Sequence, residues 1–285
     1  METHVSVVFA GGGCRTFWAL GLFEALKPDL PPVMEYAGVS AGAAMALAAA
    51  TDHADKTCAV FAEKTAANSR NIYPERWLRR KPVFPHEQIY RSTLLESLES
   101  GAFSTLGERS PVRIQLAYVE PGHPVVWTAL SALRAYRARR RAGQLHGPEL
   151  PATGLGGEVI TAQDAESLGE LVDHVLSSSA SPPVTPVSRR SGRVYLDGSL
   201  VDAVPVRALS AGAQRGKVIV LLNSPIPEQW CPNSRQRLYL APPKRLPIHK
   251  WDYTCPKRVR AAVARGRADA EQCRSRVASF LAAAS

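Results

Sequence analysis

The sequence predicts an α/β fold in which a mostly parallel sheet is covered by helices on both faces. Three observations support this class. Short valine-rich runs end in glycines or in Asp-Gly, apolar stripes of helical spacing occur between them, and the two patterns alternate along the 285 residues. Such alternation is typical of parallel strands joined by helical crossovers. Because no internal repeat and no linker interrupts the pattern, we expect one domain over residues 1–285.

The chain begins with two strand–turn–helix units. Residues 4–13, HVSVVFAGGG, start as a buried strand and end in a glycine loop. Residues 14–26, CRTFWALGLFEAL, carry a helical apolar stripe that stops at Lys27-Pro28. Residues 33–40, VMEYAGVS, form the second predicted strand. The helix after it, AGAAMALAAA at 41–50, is apolar on all sides and is therefore expected to be deeply buried.

The remaining elements follow from the same two patterns. Further helices are predicted at residues 55–69, 85–100, 165–181 and 256–284, the last being interrupted at Gly266. Further strands are predicted at residues 112–120, 124–130, 158–162, 193–197 and 216–225. Glycine and proline favour a loop at 143–157, and proline with polar residues favours irregular structure at 226–250.

Composition is that of a globular enzyme and excludes several other classes. The chain is 45% hydrophobic and 21% charged, and no apolar run reaches the ~18 to 20 residues of a membrane-spanning helix. The N-terminal residues lack the basic and apolar regions of a secretory signal, so we expect the cytoplasm as the compartment. The five cysteines are scattered without C-x-x-C spacing, which indicates neither a disulfide framework nor a zinc site.

The charge of the chain favours anionic surfaces. The formal net charge is +10. The densest basic cluster, LRAYRARRRAG at 133–143, would form a helical face carrying Tyr136, Arg137, Arg139, Arg140 and Arg141. No zinc-finger, homeodomain or RNA-binding pattern accompanies it, so no nucleic acid is expected as a partner. The cluster is either a solvated helix face or an attractor for an anionic membrane surface, which would make the protein peripheral at the membrane.

Three short motifs fall at the ends of predicted strands, where open α/β sheets place their sites. Gly11–Gly13 follow the first strand, Ser40 follows the second, and Asp197 ends the strand at 193–197. Ser40 lies between Gly38 and Gly42 in a G-x-S-x-G pattern. A serine on such a turn is a nucleophile once a base takes its proton, and Asp197 is the candidate base. The alternative is a glycine-rich turn whose serine caps the next helix.

The glycine loop has two interpretations. Backbone N–H groups at a helix N-terminus can hold the oxyanion of an acyl-transfer intermediate, and Arg15 would add positive potential there. The same glycines could instead cradle the pyrophosphate of a dinucleotide. The G-x-G-x-x-G form fails, however, because Thr16 stands at its last position, and no Gly-Lys-Ser/Thr of a P-loop is present.

Two other candidate groups compete with this assignment. Cys14 lies where a helix begins, and a helix N-terminus lowers a thiol pKa, but no partner for a catalytic Cys14 can be named. A Ser-His-Asp triad of the α/β-hydrolase order requires a histidine after its acid. His249 alone follows Asp197, and it lies in a segment rich in proline, lysine and arginine.

With these motifs the sequence resembles the patatin-like phospholipases over roughly residues 5–225. GGGCR is similar to the oxyanion loop of that family, GVSAG to its elbow and DGS to its Asp-Gly-Gly or Asp-Gly-Ala element. SSSASPPVTPV at 177–187 is similar to the segment that precedes the aspartate. The resemblance implies a three-layer α/β/α sandwich and a Ser-Asp dyad without histidine. Thr16 and Ser199 depart from the family pattern, and Ser199 could donate a hydrogen bond to Asp197.

The predicted function is therefore that of a cytoplasmic serine acyl hydrolase. Ser40 would be the nucleophile, Asp197 the base, Gly11, Gly12, Gly13 and Arg15 the oxyanion hole, and Gly38 and Gly42 the elbow. The substrate class that the resemblance implies is a phospholipid or another fatty-acyl ester, and no metal or organic cofactor is expected. The alternatives are a regulatory or non-catalytic lipid-binding protein on the same fold and a nucleotide-binding α/β protein.

Overall fold

One eight-stranded sheet organises the structure, a computed structural model that describes residues 4–99, 101–148, 154–190 and 192–283. Its strands are β1 (Val5–Phe9), β2 (Val33–Val39), β3 (Val112–Val119), β4 (Leu155–Thr161), β5 (Ser188–Arg190), β6 (Arg193–Leu196), β7 (Lys217–Leu221) and β8 (Arg237–Leu240). The order is β5-β6-β3-β2-β1-β7-β8, with β4 also paired to β3. The strands β3, β2, β1, β7 and β8 are parallel, whereas β4, β5 and β6 pair in antiparallel fashion.

The register of the strands brings two loops to one edge of the sheet. Phe9 at the end of β1 lies opposite Gly38 of β2 and Leu221 of β7. The glycine loop and Ser40 therefore leave the sheet at the same level. A buried parallel strand needs apolar side chains on both faces, and the valine-rich β1 and β7 satisfy this requirement.

Strand β6 reaches the same place from the opposite direction. Strand β4 pairs along β3 from Arg113 to Val119, so it occupies one edge of that strand. Residues 112–115 of β3 pair with β2 and residues 117–119 pair with β6, which must share the other edge. Because β6 is antiparallel to β3 and β2 is parallel to it, the carboxyl ends of β2 and β6 run towards each other. Asp197, which follows β6, therefore approaches Ser40, which follows β2.

Helices cover both faces of the sheet, as a three-layer α/β/α sandwich requires. They are α1 (Thr16–Leu26), α2 (Ala41–Ala50), α3 (Ala54–Ala66), α4 (His86–Glu99), α5 (Val125–Arg141), α6 (Leu168–Ser178), α7 (Ala211–Arg215) and α8 (Pro256–Ala282). The side chains of β1 alternate between two cores: Val7 and Phe9 pack with α1, α2 and α8, whereas Val8 packs with the core that contains Ala213 of α7. The predicted fold class is confirmed.

Helix α2 is as deeply buried as its all-round apolar sequence predicts. Every residue of the helix except Ala41 is buried. Its alanine-rich surface lets the sheet and the neighbouring helices approach closely. None of the helices in the described ranges is long and apolar enough to cross a membrane.

Four sequence predictions of secondary structure are wrong. Residues 124–130 are not a strand but the first turns of α5, whose valines and tryptophan had suggested β-structure. Strand β8 lies within the segment predicted to be irregular. Strand β4 begins at Leu155 inside the predicted loop at 143–157, of which residues 149–153 lie outside the described residues. Helix α8 is continuous, because Gly266 is where it crosses α1 and a Cβ there would collide with the carbonyl oxygen of Trp18.

Candidate active site

The turn between β2 and α2 holds Ser40 in a backbone conformation that non-glycine residues rarely adopt. Its φ is 55° and its ψ is −134°. Strain of this kind costs about 1–3 kcal/mol and concentrates at functional sites. A Cβ at Gly38 would lie 2.5 Å from the Gly42 carbonyl oxygen, and a Cβ at Gly42 would collide with the carbonyl oxygen of Phe9. The geometry matches the strained strand-to-helix turn on which nucleophilic serines are presented.

The hydroxyl of Ser40 does not cap α2, so that interpretation is wrong. Its Oγ makes no capping hydrogen bond to the helix and instead donates to Asp197 Oδ2 at 3.0 Å. The backbone N–H of Ser40 donates to Ser178 Oγ at 2.8 Å, and Ser178 Oγ donates to the Gln115 carbonyl oxygen at 2.7 Å. These bonds tie the turn to the end of α6 and to β3. The serine is thus held from its backbone side while its hydroxyl faces a carboxylate.

Asp197 receives hydrogen bonds on both carboxylate oxygens. Its Oδ1 accepts from the backbone N–H of Ser199 at 2.9 Å, and its Oδ2 accepts from Ser181 Oγ at 2.9 Å as well as from Ser40. The backbone N–H of Asp197 donates to the Ala180 carbonyl oxygen at 2.7 Å. An ionised carboxylate accepts all of these bonds without needing a proton of its own. The predicted bond from Ser199 therefore exists, but it comes from the backbone and does not depend on the serine side chain.

The glycine loop after β1 has two backbone N–H groups to spare. The N–H of Gly11 donates to the Ala203 carbonyl oxygen at 3.0 Å, and that of Cys14 donates to the Lys250 carbonyl oxygen at 3.0 Å. Within the described ranges, the N–H groups of Gly12 and Gly13 have no hydrogen-bond partner. Gly13 has a φ of +58°, the left-handed conformation that favours glycine. Of the predicted oxyanion donors, Gly11 is thus already engaged, whereas Gly12 and Gly13 are available.

Two side chains hold the carbonyl groups of this loop. Asn223 Nδ2 donates to the Ala10 and Gly11 carbonyl oxygens at 3.1 and 2.6 Å, and Arg15 Nε donates to the Gly12 carbonyl oxygen at 3.3 Å. These bonds occupy three carbonyl oxygens of the loop and hold its backbone in place. Asn223 was not among the predicted site residues, although it follows β7 at the carboxyl edge of the sheet, where the same positional rule applies.

Two basic residues, Arg15 and Lys250, lie beside the glycine loop. Burial is the main cause that lowers the pKa of the Arg15 guanidinium. Burial also lowers the pKa of Lys250, the nearby charge of Arg15 lowers it further, and the charge of Asp197 opposes both effects. Lys250 was missed by the sequence analysis because it lies in an irregular segment with no motif. Its backbone nonetheless contacts Gly13 directly.

The two competing candidates do not fit the geometry. Burial, together with the charge of Asp252, raises the pKa of the Cys14 thiol, and Cys14 Sγ donates to the Asp252 carbonyl oxygen at 3.4 Å. A thiol in this setting stays protonated and is a poor nucleophile. His249 is exposed, and its Nδ1 accepts from the N–H of Trp251 at 3.3 Å. Among the described residues, no histidine hydrogen-bonds to Ser40 or Asp197.

An apolar crevice begins beside these groups. Gly13 of the glycine loop and Ala41 of the elbow border it, and it is lined further by Phe17, Met45, Phe61, Leu94 and Tyr253. The ring of Phe61 lies 4.9 Å from that of Phe17 and 5.0 Å from that of Tyr253, measured between centroids. Gly13, which carries one of the two spare N–H groups, and Ala41 of the elbow therefore adjoin one apolar, aromatic-lined space.

A known protein family matches most of the chain. A sequence model of the family described as patatin-like phospholipase matches residues 7–210. Among solved structures, VipD from Legionella pneumophila is similar at 10% sequence identity with a TM-score of 0.45, and the match covers 96% of this chain and 67% of VipD. No curated protein matches the chain.

Proposed function

The chain belongs to the patatin-like phospholipase family of lipid acyl hydrolases, and on this premise we propose that Ser40 and Asp197 are its catalytic nucleophile and base. The observation that carries the proposal is the 3.0 Å hydrogen bond from Ser40 Oγ to Asp197 Oδ2, made at a strained turn. Nucleophile and base within hydrogen-bond reach are the signature of covalent catalysis. The predicted Ser-Asp dyad needs no histidine.

The proposed reaction has two halves. As Ser40 Oγ attacks the ester carbonyl carbon, Asp197 Oδ2 takes the hydroxyl proton and then delivers it to the departing alcohol oxygen. This leaves an acyl-serine. A water molecule next attacks the acyl carbon and gives its proton to Asp197, which returns it to Ser40 Oγ as the free carboxylic acid leaves. The N–H groups of Gly12 and Gly13 would hold the oxyanion of each tetrahedral intermediate, since both are free of other partners.

The crevice supports a fatty-acyl substrate. Its apolar lining begins at Gly13 and Ala41, next to the groups that would hold the carbonyl oxygen and the nucleophile. An acyl chain placed there would be removed from water, which contributes about 0.8 kcal/mol per buried CH₂. The crevice is narrow, about 20 Å³, and we assign it to the acyl chain of a phospholipid or related lipid ester, which would enter as the lining rings move apart. We further propose that the chain forms a single domain, that it works in the cytoplasm, and that it binds peripherally to the surface of anionic membranes.

Two measurements test the proposal. A fluorophosphonate probe should label the wild-type protein and leave the Ser40→Ala variant unlabelled, and p-nitrophenyl esters of graded chain length should be hydrolysed only by the former. Absence of both labelling and hydrolysis in the wild-type protein would favour a non-catalytic lipid-binding protein instead.

The crevice has a separate test. Phe61→Leu replaces a ring that lines the crevice by a smaller side chain and should raise kcat/KM for long-chain esters relative to short-chain esters. The control is Phe103→Leu, which makes the same substitution at a partly buried phenylalanine that does not line the crevice. An unchanged chain-length profile in a folded Phe61→Leu protein would remove the acyl chain from this crevice.

A further inference from the structure

The solvent-facing side of α5 is unusual because large apolar side chains occupy it. The side chains of Val126, Trp127 and Leu130 are 67, 70 and 44% exposed, respectively. Arg134, Arg137 and Arg141 are also exposed and continue the same side at helical spacing. The buried side of the helix instead carries small residues, Thr128 and Ala132. We call Val126, Trp127, Leu130, Arg134, Arg137 and Arg141 the α5 outer face.

The positive charge of the α5 outer face is not neutralised by the protein. Helix α5 contains no acidic residue. No described residue forms an ion pair with Arg134, Arg137 or Arg141, whereas other exposed arginines such as Arg70 and Arg267 have carboxylate partners. The face therefore combines an apolar half, which water solvates poorly, with a basic half that lacks counter-charges.

The opposite side of α5 packs beside the catalytic groups. Arg139 is half-buried and donates to the Leu200 carbonyl oxygen at 3.0 Å, three residues after Asp197. Arg140 is also half-buried, and its charge acts on Arg15. These two arginines were expected on the basic surface, and the structure turns both of them inward. A ligand on the α5 outer face would consequently lie on the helix that flanks the site.

We infer that the α5 outer face docks on an anionic lipid bilayer. This inference rests on the proposed function, because that function requires a lipid substrate. Tryptophan and leucine favour the boundary between headgroups and acyl chains, and arginines on the same face pair with lipid phosphates. A second copy of the chain is a poorer occupant, since each copy carries a net charge of +10. Nucleic acid would leave the apolar half of the face uncovered.

Vesicle flotation tests the inference in the Ser40→Ala background, so that lipid is not consumed. The probes are phosphatidylcholine vesicles with and without phosphatidylserine. Binding should require phosphatidylserine and fall as salt rises. Arg134→Gln with Arg141→Gln should weaken binding roughly thirtyfold, at about 1 kcal/mol for each arginine near the surface and ~1.36 kcal/mol for each factor of ten. Trp127→Ala should weaken it roughly tenfold, since burial of its side chain is lost.

A charge-matched control separates a local surface from bulk attraction. Arg215→Gln with Arg260→Gln removes two exposed positive charges, from α7 and α8, that pair with no carboxylate of the described residues, and it should leave binding within about twofold. Equal losses in the two double variants would overturn the inference, as would equal binding to neutral and anionic vesicles. Self-association that Trp127→Ala abolishes, without vesicle binding, would show that a second copy covers the face.

Separate measurements distinguish a failure of the docking surface from a failure of the catalytic proposal. With Ser40 intact, the Trp127→Ala and arginine variants should hydrolyse a water-soluble short-chain ester at the wild-type rate. Failure of ester hydrolysis in the wild-type protein, alongside the expected vesicle binding, would refute the catalytic proposal and support the docking surface. Failure of vesicle binding alongside normal hydrolysis would refute only the docking surface.

Discussion

Replacing Asp197 by asparagine removes the proposed base while preserving its hydrogen bonds. The N–H of Ser199 donates to Oδ1 and cannot become an acceptor, so the asparagine must keep its oxygen at this position. Its Nδ2 then faces the hydroxyls of Ser40 and Ser181, both of which can rotate to accept. The site therefore stays satisfied, but no group remains that can take the proton of Ser40.

The size of the loss follows from this geometry. A positioned general base contributes about 10²–10⁴-fold, and in Asp197→Asn the nucleophile additionally becomes a hydrogen-bond acceptor. We expect kcat/KM to fall about 10³–10⁴-fold, which is about 4–5.5 kcal/mol at ~1.36 kcal/mol for each factor of ten. Because the hydrogen bonds are retained, Tm should change little.

The assay compares kcat/KM on one soluble p-nitrophenyl ester for the wild-type protein, Asp197→Asn, Ser40→Ala and the double variant. The double variant should be no slower than Ser40→Ala, since residues that act as a unit are strongly non-additive. Asp173→Asn is the matched control, because that carboxylate is exposed and pairs with Arg91 away from the site. The dyad would be refuted if kcat/KM of Asp197→Asn stayed within tenfold of the wild-type value. It would also be refuted if kcat/KM of His249→Ala fell as far as that of Ser40→Ala.

Three further predictions concern the surroundings of the site. Gly13→Ala should lower both Tm and kcat/KM, because the position has a positive φ and a Cβ would collide with a neighbouring carbonyl oxygen. The fall in kcat/KM should be about 10²-fold or more. Thermal melts and kinetics should show no such loss for the control Gly107→Ala, where a Cβ meets open space. Ser181→Ala removes one donor to Asp197 and should reduce kcat/KM about tenfold, with Ser181→Thr restoring most of it if the hydroxyl acts by positioning the carboxylate. Cys14→Ala should keep kcat/KM within a few-fold of the wild-type value. Iodoacetamide at neutral pH should not inactivate the wild-type protein, since burial raises the pKa of the Cys14 thiol. Rapid inactivation by modification of Cys14 would contradict this prediction.

Local features of the chain were predictable because their physical cause is local. Val5–Phe9 reads as a buried strand from its composition, and Ala41–Ala50 as a buried helix, and the structure confirms both. The glycines around Ser40 are required by the close approach of neighbouring backbone atoms, a requirement that the G-x-S-x-G pattern already indicates. Family membership followed from the same short motifs and is confirmed by the match over residues 7–210.

Features that depend on the environment of a residue were not predictable from the pattern. The apolar residues at 124–130 suggested a strand because apolar side chains are expected to face a core, whereas here Trp127 faces solvent on helix α5. Gly266 suggested a break in the last helix. Instead it lies where α8 crosses α1, and a Cβ there would collide with the backbone of α1. Neither arrangement leaves a signal in the neighbouring sequence.

The sequence by itself determined the turn that presents Ser40 and the glycines that precede Arg15, since each depends on residues within one or two turns of the chain. Only the tertiary structure decided what Ser40 faces. Asp197 lies 157 residues further along the chain. It reaches the hydroxyl because β6 runs antiparallel to β3 and ends against the carboxyl end of β2. The contact is a consequence of how strands share an edge of the sheet, which no local pattern encodes.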